Sequence, residues 1–314
     1  MRVLLLLGLC GNSVATIRKK PTVEAVLAEL HELSTAEPLP MDALRDGLKH
    51  SSNAVVAKAA TIVGARFAQE LLPDLVAAAE RFFRQQDQHC VAKIAIFQAL
   101  RALEHTDKAM LLRALRHVQM EANWGGTSDV AAPLRAVAAL AISECPAIAP
   151  REALCLLVDA LVDPEVHTRI DVVRAIGQVG GAEPGLILRT KARVGDAAPE
   201  VIGQCLTTLI EREGLEVMAF AATFLDHPEL RNEAAMAIAA QRGPESLAIL
   251  IQAWEQRGGG DLLLAIGTLR TPAAVDWLLN LIRRQPGMIA QRARLALEPC
   301  RHLSGVEDAL AESR

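Results

Sequence analysis

Cysteine, histidine, aspartate and tryptophan are the residues of this chain that could carry chemistry, and their spacing limits what they can do. Six cysteines, at Cys10, Cys90, Cys145, Cys155, Cys205 and Cys300, include no Cys-x-x-Cys pair, so the sequence contains neither a zinc knuckle nor a dithiol redox motif. They read mostly as small buried hydrophobes in a reducing compartment. The histidines stand apart at His31, His50, His89, His105, His117, His167, His227 and His302, and only His31 precedes a glutamate, Glu32. A metal site needs ligands that converge on one ion, which this scatter does not supply. No Gly-x-Ser-x-Gly nucleophile motif occurs. The glycine-rich run RGGGDLLL, Arg257 to Leu264, lacks the Lys-Ser/Thr ending and the preceding strand of a phosphate-binding loop and reads as a permissive turn. The expectation is no cofactor, no metal and no identifiable catalytic residue.

Aspartate is the ordered exception. Asp129, Asp163 and Asp196 each lie nine residues ahead of Ala138, Val172 and Cys205, while Asp87 and Asp226 lie eight ahead of Ala95 and Ala234. In LVDPEVH, Asp163 and Pro164 stop one apolar run and open the next. A carboxylate repeated at such a turn reads as a cap on the free N–H groups of the following helix, or as a link between neighbouring units, before it reads as a catalytic acid. Arg135, Arg169 and Arg231 stand one residue into the phrases that follow these turns and are expected to serve the scaffold.

The elements that hold these residues announce themselves by repetition. VVAKAATIVG from Val55, VAKIAIFQAL from Val91, LRAVAALAIS from Leu134, TRIDVVRAIG from Thr168, VIGQCLTTLI from Val201 and LRNEAAMAIA from Leu230 share a small or apolar fifth position. Those positions are Ala59, Ala95, Ala138, Val172, Cys205 and Ala234, with weaker copies at Ala265 and Ala293, and their separations are 36, 43, 34, 33, 29, 31 and 28. Periods of this size mark a solenoid of helical hairpins. Such an array buries its apolar surface between neighbours, so 314 residues form one domain without a central core.

Composition agrees. Hydrophobic residues make up 51%, yet aromatics only 3% with no tyrosine, which favours Ala/Leu helix packing over β-structure. The predicted organisation is an N-terminal helical segment over 1–40, a solenoid over 41–300 and a polar tail over 301–314. PTVEAVLAELHELS, residues 21–34, is an amphipathic helix, broken by Pro38 and Pro40. With 33 basic and 37 acidic residues, net charge −4, a long nucleic-acid surface is not favoured. MRVLLLLGLCGNSVA, residues 1–15, has the outline of a short secretory signal, but Arg18, Lys19 and Lys20 follow closely. A cytoplasmic, monomeric protein is the favoured expectation, with a secreted or periplasmic one as the alternative. No segment after it has the ~20 uninterrupted apolar residues of a membrane span.

The separation of 43 between Ala95 and Ala138 exposes an insertion, QMEANWGGTSDVAAP over 119–133, in which Gly125 and Gly126 give freedom and Trp124 is a large apolar anchor. It is either a ligand or partner loop or a loop pinned by tryptophan packing, closing like a plug over its neighbours. Helical phase at about 100° per residue puts phrase positions 3 and 7 opposite the packed side. On that reading the groove carries Ala57, Thr61, Lys93, Phe97, Ala136, Leu140, Ile170, Arg174, Gly203, Thr207, Asn232 and Met236, a mixed, mildly apolar surface with two cations. Partner contact is expected at Phe97, Trp124, Leu140, Ile170, Arg174, Thr207 and Met236.

The phrases resemble the HEAT-like repeats of the phycobilisome bilin-lyase (E-Z) type, whose second helix reads Val-Arg-x-x-Ala-x-x-Ala-Leu-Gly after an acidic turn. ALCLLVDALVDPEVHTRIDVVRAIGQVGG, Ala153 to Gly181, carries the likeness best, and the resemblance spans roughly Met41 to Cys300. It implies an all-α, right-handed α-α superhelix of about eight hairpins. It says little of function, since unrelated activities share the scaffold. The family name suggests a chromophore lyase or its subunit, yet nothing beyond the generic repeat supports that. HEAT-repeat di-iron hydroxylases use repeated His-Glu pairs where this chain has one. A HEAT-like DNA glycosylase would need a basic groove with aromatics, and only Trp124, Trp254 and Trp277 are available as tryptophans. The function expected is a non-enzymatic scaffold or adaptor that takes a protein or peptide in its groove; the alternative is a lyase-type enzyme or subunit using the same groove.

Overall fold

The computed structural model describes residues 22–303 and 306–307; the signal-like stretch over 1–15 and most of the polar tail lie outside them. The first helix, α1 (Val23–Leu33), is capped by the Thr22 hydroxyl, which accepts from the Ala25 amide at 3.3 Å. Eight hairpins follow in chain order. They are α2 (Met41–Lys49) with α3 (Asn53–Ala65), α4 (Leu72–Phe82) with α5 (Val91–Ala102), and α6 (Lys108–Leu115) with α7 (Ala132–Glu144). Next come α8 (Pro150–Ala160) with α9 (Val166–Gln178), α10 (Glu183–Val194) with α11 (Pro199–Glu213), and α12 (Met218–Ala222) with α13 (Arg231–Ala239). The last two are α14 (Pro244–Arg257) with α15 (Gly260–Thr268) and α16 (Pro272–Arg284) with α17 (Met288–Leu297). Proline in the first turn sets many of the starts, as at Pro150, Pro199 and Pro272, where its missing N–H and fixed φ cost nothing.

Each second helix packs along the second helix of the next hairpin, in an unbroken series from α3 through α5, α7, α9, α11, α13 and α15 to α17. The first helices approach one another less closely and meet mainly through side chains, as in the Arg113–Glu80 pair between α6 and α4 and the Lys108–Glu152 pair between α6 and α8. The close-packed second helices therefore form the inner side of a curved array and the first helices its outer side. α1 caps the beginning by packing on α3 and α2. All eight fifth positions, from Ala59 to Ala293, are buried in one continuous apolar core. Small residues permit this approach. A Cβ added to Gly267 on α15 would lie 2.0 Å from the Ala296 carbonyl oxygen on α17, so the two backbones meet where only glycine fits. Trp254 and Trp277, on α14 and α16, meet edge to face at 5.4 Å and lie partly buried against the core. The run RGGGDLLL is the reversal between α14 and α15, with Gly258 and Gly259 at φ 66° and 111°, a conformation that disfavours other residues.

The insertion holds the one β-sheet among the described residues. It forms a two-stranded antiparallel hairpin, β1 (Met120–Asn123) and β2 (Gly126–Asp129), with Asn123 paired to Gly126 across a two-residue turn. Loop freedom was expected from its glycines. Instead, short strands form, with the Asn123 side chain accepting from the Gly125 amide at 3.1 Å in the turn.

Candidate interaction surface

Four of the five turn aspartates build the rim on which the second helices start, whereas Asp226 pairs with Arg257 instead of capping α13. Asp129, Asp163 and Asp196 each accept the amide N–H two residues on, at 3.0, 2.9 and 2.9 Å. Asp87 accepts the amides of Ala92 and Lys93 at 3.2 and 2.9 Å. Two arginines then tie three successive turns together. Arg135 bonds Asp129 of its own unit at 2.5 Å and grips Asp163 of the following unit through two bonds, at 2.6 and 2.9 Å. Arg169 donates to the Asp163 carbonyl at 2.7 Å and holds Asp196 through two bonds, at 3.1 and 2.8 Å. These groups are nearly excluded from solvent. Burial opposes ionisation of Asp196, but bonds from Arg169, Lys191 and the Ala198 amide outweigh it and hold the carboxyl at about 2. Arg231 differs, donating to the Leu225 carbonyl at 3.0 Å. The scaffold role expected of these arginines is what the geometry shows.

The same ladder corrects the expected register of α5. In α3 the buried positions include Val55, Val56, Ala59, Ala60 and Val63; in α5 they include Ala92, Lys93, Ile96, Phe97 and Leu100, a match displaced by one residue from the phrase alignment. His89 and Cys90 adopt left-handed φ of 57° and 53° before α5 and set the helix start later. Two expectations fall with the shift. Phe97 is 0% exposed, an interior ring packed edge-on to Phe83 at 5.8 Å, and does not reach the groove. Lys93 is also buried, at the ladder position of Arg135 and Arg169. Its ammonium donates to Gln119 Oε1 at 2.5 Å and lies 3.9 Å from Cys90 Sγ. Ala136 and Gly203, read as groove residues, are buried as well.

Gln119 belongs to the insertion, and it shows how the hairpin is anchored. Its amide donates to the Asp87 carbonyl and to Glu121 Oε1, both at 2.6 Å. Glu121 accepts the His89 amide at 2.8 Å and faces His89 Nδ1 at 3.2 Å. Asp129 accepts the Gln119 amide at 3.0 Å. The polar strand residues thus bind the hairpin down, while Val118, Met120 and Trp124 stay exposed, Trp124 at 108% of its reference area. The expected tryptophan plug is absent: Trp124 sits at the hairpin tip and covers neither Phe97 nor Leu140. Sequence reasoning missed the Lys93–Gln119–Cys90 cluster because the one-residue slip hid the kinship of Lys93 to Arg135. Burial pushes the Cys90 thiol up to about 11, against the opposing Lys93 charge, and that of Cys205 up to about 12, so both stay protonated at neutral pH. Cys155, by contrast, is exposed on α8.

On the inner side each second helix presents one row. Leu140, Ile170 and Thr207 are half-buried; Arg174 and Met236 are exposed, with Met236 at 40%. Ile94 and Val137, absent from the expected groove, join Leu140 and Ile170 as partly buried apolar side chains on neighbouring helices. Polar links cross the same face. Arg101 holds Glu144 through two bonds at 2.7 and 2.6 Å, Ser143 donates to Gln178 at 2.9 Å, and Arg174 donates to Gln204 at 3.0 Å and Asp171 at 2.7 Å. The charges beside the apolar row are therefore mutually neutralised. Among the described residues no group of three or more His, Cys, Asp or Glu side chains is arranged to hold a metal ion, and no helix is long and apolar enough to cross a membrane.

No family model and no curated protein matches the chain. Among solved structures, the X-ray structure of YibA from E. coli, a structural-genomics target, aligns with a TM-score of 0.45 and 13% identity, over 91% of this chain and 99% of that one.

Proposed function

We propose that the chain is a scaffold or adaptor that holds an extended segment of another protein along its inner face. The observation that carries this reading is the row of Ile94, Val137, Leu140 and Ile170 on three successive second helices, flanked by charges already paired with one another. A neutral row of this kind favours apolar side chains of a peptide over phosphate or a strongly charged ligand. Arg174, Thr207 and Met236 continue the surface along the array, and the exposed Trp124 on its tethered hairpin adds an aromatic of the type enriched where proteins meet. Leu140→Asp and Ile170→Asp, at half-buried positions, test it. Each should retain the helical circular dichroism of the parent and lose the partner that the parent recovers. Recovery undiminished in both folded variants would remove the inner face from the account.

A further inference from the structure

The outer helices present polar rows to solvent: Asp42, Asp46 and Lys49 on α2, Gln252 and Glu255 on α14, Asp276, Asn280 and Arg283 on α16. Two adjacent outer helices break this pattern. Val158 is 40% exposed on α8 and Val162 83% just beyond its end; Leu186 and Val194 on α10 are 67% and 79% exposed. A groove of about 450 Å³ runs between the two rows, lined also by Leu161 and Thr190. Those four side chains expose on the order of 400 Å², the size at which an apolar patch on a monomer marks an interaction site, and about half of the ~800 Å² that one partner brings to a standard interface.

We propose that two copies of the chain associate through this face, about a two-fold axis that crosses α8 at Cys155 and α10 near Thr190. The spacing of charges selects this arrangement. Arg151 and Asp159, both exposed, lie four residues to either side of the exposed Cys155. Antiparallel apposition of the two α8 helices about Cys155 sets Arg151 of each copy against Asp159 of the other. On α10, Leu186 and Val194 lie four residues to either side of Thr190, so the same rotation brings leucine onto valine twice. Isologous contacts demand such self-complementarity from one surface. Under this rotation the groove of each copy faces the groove of the other, while the inner faces of both copies stay open to partners.

Sedimentation equilibrium of the full chain should return twice its 33.7 kDa mass. Val162→Glu and Leu186→Glu, at exposed positions that leave the fold intact by circular dichroism, should each weaken association at least about tenfold. Arg151→Asp should weaken it, and adding Asp159→Arg to the same chain should restore it. Mild oxidation should join the two copies, and Cys155→Ser should abolish that link. A chain that stays monomeric at high micromolar concentration overturns the proposal, as does a dimer indifferent to both glutamate variants. A charge-swapped double variant no tighter than Arg151→Asp, or the lack of a Cys155-dependent link, overturns the axis.

Discussion

At the scale of single residues, the arginine–aspartate ladder is where sequence and structure meet most closely. Arg135 compensates two nearly buried carboxylates, Asp129 and Asp163, so removing it strands both. Arg135→Ala should cost about 3 kcal/mol or more in urea unfolding. Arg169→Ala should cost less, about 2 kcal/mol, because Lys191 remains 2.8 Å from Asp196. Acid should act on the same ladder. The Asp196 carboxyl titrates at about 2 in the fold and near ~3.9 unfolded, so its contribution, of order 2 kcal/mol, is complete above pH ~4 and is lost as pH falls toward 2. His105 and His117, which burial holds below the ordinary histidine value, remove further stability as pH falls through and below ~6.5. Asp196→Asn should lower stability at neutral pH and flatten the acid limb, as read by unfolding midpoints across that range. The turn aspartates were legible because their spacing from each fifth position repeats. The Lys93 pairing was not, since its partners Gln119 and Cys90 lie in non-repeating text and a one-residue slip put Lys93 on the wrong face.

At the scale of elements, close approach between second helices is the device that closes the array. Gly267→Val should therefore destabilise the last hairpins by about 2 kcal/mol or more, since its side chain would press on the α17 backbone. Gly125→Ala at the hairpin turn, with little packed against it, should stay within ~0.5 kcal/mol, which urea midpoints of the pair would show. The second helices were readable from periodicity because burial on three sides fixes their pattern. The hairpin was not: four-residue strands carry almost no period, and its hold on the array runs through side chains of Gln119 and Glu121 rather than through an apolar face. Trp124 invited a reading as an anchor on size alone, yet Gln119 just before β1 and Glu121 on it tie the hairpin to the Asp87–His89 turn and leave the tip in solvent.

At the scale of the whole molecule, stacked hairpins predict an elongated curved particle. Small-angle scattering should give a radius of gyration above the ~20 Å of a compact domain of this length; a compact value would contradict the curved array. The repeat fixed that architecture in the sequence, but helical phase alone could only approximate the inner surface, because a single slipped repeat moves Phe97 inside and brings Ile94 out. On the proposed function this inner surface receives a partner. Its most direct test places a photocrosslinking residue singly at Leu140, Ile170 and Thr207 on the inner side, and at Ala109 and Gln252 on the outer side. Crosslinks to one common partner are expected from the inner positions and none to it from the outer ones. Equal crosslinking from both sides, or crosslinking from the outer side alone, would contradict it.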